Sequence, residues 1–142
     1  MIKSQILLAT ALALITAPAW ADVQITDAYA RGTGASGAVY LTMANPDATP
    51  DRLISVTTDA AQMAMLHTSV TDAAGVTSMP DLPDGVIVSP GTSHAFARGG
   101  DHIMLMGLTK PIKDGDRFRV TLLFERSGAV EVDVIVDNKR LK

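Results

Sequence analysis

Apolar positions in this chain alternate with polar ones in short runs. Val130, Val132, Val134 and Val136 interleave with Glu131, Asp133 and Ile135, the pattern of a half-buried strand with one wet face. Comparable β-rich runs cover Val23–Tyr29, Gly37–Ala44, Arg52–Thr57, Ala64–Val70, Gly85–Val88, His102–Leu108 and Arg117–Phe124. Turn-forming clusters separate them: Arg31-Gly32-Thr33-Gly34, Asn45-Pro46-Asp47, Pro80-Asp81, Pro83-Asp84-Gly85, Pro90-Gly91 and Lys113-Asp114-Gly115-Asp116. Glu125 to Ala129 reads as a hairpin connection between the last two strands. No stretch sustains a helical period, and Asp59–Met65 is expected to form a turn of helix at most. Short strands at this spacing predict one all-β domain, an antiparallel β-sandwich or a small barrel.

One apolar run breaks the alternation. Ile6 to Ala17 follows the cation Lys3 and precedes Ala19-Trp20-Ala21, a small-x-small cleavage signal. A membrane span needs about 20 apolar residues, and this run is shorter. Residues 1–21 are therefore expected to be a secretory signal peptide cleaved after Ala21, and residues 22–142 an exported domain without a membrane anchor. The chain has no cysteine, which excludes disulfides, thiol nucleophiles and zinc- or copper-thiolate sites. Any soft-metal site must then be built from methionine and histidine. A net charge of −3, with no basic stripe, argues against a nucleic-acid partner.

Chemistry concentrates in His102-Ile103-Met104-Leu105-Met106. In a strand His102 and Met104 stand on one face, roughly 6.5 Å apart. An imidazole and a flexible thioether at that spacing can lean onto one ion, and the thioether narrows the choice towards Cu(I). His67 closes the run Met63-Ala64-Met65-Leu66, just before the hairpin-like Thr71-Asp72-Ala73-Ala74-Gly75. Met79 follows that turn in Ser78-Met79-Pro80-Asp81, a poor setting for a core residue. A hairpin there would bring His67 and Met79 together at one end of the domain. Met43 reads as core filling, Met63 and Met65 as bordering a site or as ordinary core, Met106 as packing or as a neighbour supporting the ligands, and His94 as a solvated turn residue.

The spacing of His67, Met79, His102 and Met104 resembles that of the PCu(A)C family of periplasmic copper chaperones. Phe96-Ala97-Arg98-Gly99-Gly100-Asp101-His102-Ile103-Met104-Leu105-Met106-Gly107-Leu108 is similar to the family's Pro-Gly-Gly-x-His-Ile-Met-Leu-x-Gly-Leu segment. Ala28-Tyr29-Ala30-Arg31, Gly37-Ala38-Val39-Tyr40-Leu41, Lys113-Asp114-Gly115-Asp116 and Val120-Thr121-Leu122-Leu123-Phe124-Glu125 resemble its other strands. There are departures. Thr68 stands where the family often has Met, and Arg98 replaces the proline before the double glycine. The interval between Met79 and His102 is slightly longer, and a Met/His-rich C-terminal tail is missing, which leaves no tail site for a second copper.

The resemblance implies a cupredoxin-like or immunoglobulin-like β-sandwich, acting as a monomer, that binds one Cu(I) through His67, Met79, His102 and Met104. It further implies a periplasmic carrier that is not an enzyme. The carrier would deliver copper towards the CuA site of a haem–copper oxidase, directly or through a Sco-type partner. The donor chemistry agrees, because two imidazoles and two thioethers are neutral ligands suited to a soft monovalent ion. The alternative is a metal-free periplasmic β-sandwich that serves as an interaction domain and uses these residues for packing.

Overall fold

Every regular element among the described residues is a strand: β1 (Gln24–Thr33), β2 (Ser36–Ala44), β3 (Asp51–Thr58), β4 (Ala61–His67), β5 (Val70–Thr71), β6 (Thr77–Ser78), β7 (Val86–Val88), β8 (Ser93–Ala95), β9 (His102–Leu108), β10 (Arg117–Phe124) and β11 (Gly128–Val136). The computed structural model describes residues 22–141. The expected leader and its cleavage point fall in residues 1–21, outside the described residues.

The main sheet runs β4-β9-β2-β1-β11-β10-β3-β7, with β8 also paired to β2, while β5 and β6 form a separate hairpin. Neighbours are antiparallel except β1 and β11, which pair in parallel. β3 also packs against β4 near the other end of that path, so the sheet curls into a sandwich. Its interior holds Leu41, Met43, Leu53, Ile103, Leu105, Leu122 and Phe124, all essentially inaccessible to solvent. Each such side chain contributes about 2 kcal/mol through removal from water. Met43 is a core residue, as its strand position suggested.

Two irregularities carry the chain across places where strict alternation would fail. In β1 the pairing with β2 shifts between Thr26 and Tyr29, around Asp27 at φ 58°. Ile25 before the bulge and Ala30 after it both reach the core, despite opposite parity. In β3 a shift opposite Leu123 and Phe124 does the same for Leu53 and Val56.

The expected helical turn at Asp59–Met65 is not formed. Asp59 and Ala60 make a bend, and β4 begins at Ala61 because its backbone groups are satisfied by the ladder to β9. Strand 4 also stops at His67 rather than Val70, which belongs instead to the short β5–β6 hairpin.

The β10–β11 turn is held by a buried carboxylate. Asp51 accepts hydrogen bonds from the N–H groups of Arg52, Arg126 and Ser127 and from the Ser127 hydroxyl, at 2.6–3.0 Å. Burial alone would push its pKa up, but these donors outweigh it and hold the carboxyl below its ordinary value.

Candidate metal centre

β9 lies between β4 and β2, and its alternation sorts two kinds of side chain. Ile103 and Leu105 enter the core, leaving His102, Met104 and Met106 on the opposite face. β4 does likewise, turning Leu66 inward and Met63, Met65 and His67 to the same outer face. Register then sets His67 directly against His102, and Met65 against Met104. The two imidazoles meet edge to face, with ring centroids 5.9 Å apart.

Local turns deliver these residues. The segment before β9 is folded by Ala97 N–H to Asp101 O at 3.1 Å and Gly100 N–H to Ala97 O at 3.0 Å. Gly99 takes φ 82° within it, a conformation that favours glycine. The Gly100 carbonyl then accepts from Ser69 N–H at 3.1 Å and from His102 Nδ1 at 3.0 Å. A carbonyl can only accept, so Nδ1 carries the proton and Nε2 keeps its lone pair for a ligand.

After the β5–β6 hairpin the chain returns along the end of β4. Thr68 N–H donates to Pro80 O at 3.1 Å, Leu82 N–H to Leu66 O at 2.9 Å, and His67 bridges to Asp81. Met79 is thereby brought to the cavity of about 580 Å³ that His102 and Met104 also line, together with Tyr40, Ser69 and Arg98. Met79 is 53 % exposed, as expected for its loop setting.

His67 differs from the other three. It does not line that cavity but sits behind His102, with its side chain only 11 % exposed. Its Nε2 lies 2.7 Å from Asp81 Oδ1, close enough for an ion pair. That approach lacks hydrogen-bond geometry, however, and neither ring nitrogen has a hydrogen bond. A buried imidazole whose Nδ1 has no partner and whose Nε2 meets only the Asp81 carboxylate is costly unless something else engages it. The donor set therefore suits a soft ion. Both imidazoles are buried, although His102 lines the cavity, and Met79 is exposed.

The surroundings are polar and partly cationic. Burial, and secondarily Tyr29, raise the Tyr40 pKa above the ordinary phenol value, while Arg98 and Arg31 work against that rise. Tyr40 is thus a neutral neighbour, its ring centroid 6.4 Å from that of His102. Tyr40 and Asp81 carry no metal signature in the sequence. Asp81 was legible only as a turn residue, and Tyr40 only as a member of the second strand.

His94 is not simply solvated. It lies in β8, 2.9 Å from Asp101 through Nε2 and edge-on to Phe96 at 5.4 Å, where it ties β8 to the turn before His102. A three-residue strand shows no periodicity, which is why sequence alone missed it. Met106 is 43 % exposed on the outer face, so of its two expected roles packing in the core does not hold, while a place beside the ligand strand does.

A slightly larger cavity of about 610 Å³ lies elsewhere, lined by Thr57, Thr121, Arg117, Arg119, Glu131 and Asp133. It offers only hard donors, and Arg119 is paired there with Glu131 and Asp133. Among the described residues no three His, Cys, Asp or Glu side chains gather as a metal site.

Known proteins resemble this chain in sequence and in fold. The profile of the LpqE-like family, described as "Putative lipoprotein LpqE-like", matches residues 23–136. The "Putative lipoprotein Lxx21020" of Leifsonia xyli subsp. xyli is 31 % identical over 115 residues, covering 80 % of this chain and 69 % of that protein. Among solved structures, the copper-bound PCuAC domain from PmoF2 is 25 % identical with a TM-score of 0.67, covering 84 % of this chain and 95 % of that one. The Cu(I)-bound solution structure of DR1885 from Deinococcus radiodurans is 28 % identical with a TM-score of 0.62, covering 81 % and 79 %. The expected all-β, cupredoxin-like sandwich is thus the observed fold.

Proposed function

The chain belongs to the LpqE-like family, and from that premise we propose that it is an exported metallochaperone whose cargo is one Cu(I) ion. His67, Met79, His102 and Met104 are its ligands, in a domain that begins at Asp22 once a signal peptide is removed. The observation that carries the reading is the His67 imidazole, buried without a hydrogen bond and directly opposed to His102 beside Met104. Copper as cargo is supported by the copper-bound PCuAC neighbours, one of them holding the cuprous state.

The arrangement suits a carrier. Two buried imidazoles hold the ion from within, and two thioethers close over it from the solvent side. An acceptor displaces Met79 first, because its side chain is the most exposed of the four. Four protein donors leave no open position for a substrate, unlike catalytic metal sites, and no enzymatic role is proposed. The acceptor is the CuA subunit of a haem–copper oxidase, reached directly or through a Sco-type partner, and the carrier works as a periplasmic monomer. None of the 142 residues is a cysteine that could carry an S-linked lipid.

Anaerobic competition titration with a cuprous chelator tests the ligand set. One tightly bound equivalent is expected for the wild type, and a large loss for His102→Ala and for Met104→Leu. Equal affinity in all three proteins defeats the assignment. Delivery is tested separately by mixing the loaded protein with the apo CuA domain, alone or with its Sco-type partner, and following the appearance of the CuA absorption bands.

A further inference from the structure

Three thioethers have no part in the centre described above. Met63 and Met65 on β4 and Met106 on β9 stand on the same outer face as that centre, in register: Met63 opposes Met106, Met65 opposes Met104, and His67 opposes His102. The face therefore descends in three cross-strand rungs from two exposed sulfurs to two buried imidazoles. Opposed side chains on antiparallel strands have Cβ atoms about 5 Å apart, and successive rungs on one face are about 7 Å apart. Methionine side chains, with three rotatable bonds, bridge such distances readily.

Packing does not explain this row. Met43 fills the core and is wholly buried, whereas Met63 is 53 % and Met106 43 % exposed. On the wet face of a strand a thioether has no advantage over a polar side chain and is open to oxidation. On the β2 side, Ser36 faces Met106 and Ala38 faces Met104, so nothing bulky covers the row from that strand.

We propose that Met63, Met65 and Met106 form a second site, built of thioethers alone, for a soft monovalent cation of the Cu(I) type. It is weaker than the neighbouring centre, because it has no imidazole. Its Met65 shares a rung with Met104, so an ion can pass inward by exchanging one thioether for the next, with no change in oxidation state and no proton transferred. The two sites share no residue, and they stand or fall separately.

The test is an anaerobic Cu(I) titration of the full domain labelled at the methionine methyl carbons, followed by NMR. The first equivalent is expected to shift Met79 and Met104, and further copper to shift Met63, Met65 and Met106. The double variant Met63→Leu/Met106→Leu, similar in size and apolar character, is expected to lose the second equivalent and keep the first. Wild-type Met63 and Met106 methyls that stay still with copper in excess overturn the proposal, whatever the variant does. So does a double variant that binds the second equivalent as tightly as wild type. If His102→Ala leaves the first equivalent intact while the Met63 and Met106 shifts persist, the four-residue centre is wrong and the thioether site stands.

Discussion

Two outer faces of the same curled sheet can be set side by side. On β10 and β11, Arg119 pairs with Asp133 at 3.0 Å and Glu131 at 3.4 Å, all three more than half exposed. On β4 and β9, the equivalent outward positions hold three methionine or histidine rungs. Both faces arise from the same alternation, with an apolar residue turned inward at every second position. Alternation decides which positions face out, and the residue type there decides what the face can do. Charged pairs in water satisfy one another and contribute little. Thioethers gain little from water, and at the inner end of the row the buried His67 has no hydrogen bond to either ring nitrogen, its Nε2 meeting only the Asp81 carboxylate.

The contrast breaks first at the histidine rung. His102→Ala should lower Cu(I) affinity by about 100-fold or more, since losing a ligand exceeds the effect of losing its supporting hydrogen bond. Competition titration measures this, and an unchanged constant would mean the two faces do not differ in function.

A large effect of another kind is expected at Asp51, which supports the charged sheet's turn and has no contact with the soft face. Asp51→Asn should cost about 3 kcal/mol in urea unfolding while leaving copper binding untouched, because buried N–H donors lose a charged acceptor. Its carboxyl pKa is lowered in the folded state. The stabilisation is therefore fully present above the unfolded carboxylate pKa and lost as pH falls through the folded one. Stability measured across the acid range should fall more steeply in wild type than in Asp51→Asn. Parallel acid limbs would remove Asp51 from this role.

Mild peroxide sharpens the comparison further. Peptide mapping should find Met63, Met79 and Met106 converted to sulfoxide first and Met43 last, following their exposure. Copper loading should protect Met79 and Met104. Oxidation in any other order would show that exposure does not govern the row.

Arg119→Ala should do least. Its partners are solvated, so neither the thermal midpoint nor Cu(I) affinity should change measurably. A clear drop in either would mean that the charged face is coupled to the soft one.

Much of the fold could be read before the structure, and for a physical reason. β9 and β10 were predicted with the bounds observed, because their core residues alternate without interruption. β1 and β3 were legible as strands, but their bulges were not, since nothing in Thr26-Asp27-Ala28 announces a shift of register. β8 and the β5–β6 arm are too short to show a period. The four expected ligands were named from the resemblance to the PCu(A)C family. Their differing burial was not legible, because it depends on what the hairpin and the Pro80–Leu82 segment cover.

What the sequence determined by itself is which imidazoles and thioethers are present and, on β4 and β9, the parity that turns them outward, because side-chain chemistry and strand pleat are local. It also determined that any soft site would lack thiolate, since there is none to recruit. Tertiary structure alone decided which strands became neighbours. Pairing β4 to β9 in one particular register put His67 against His102 rather than one residue to either side. A slip of one would have sent His67 to the opposite face of its strand and Leu66 out of the core.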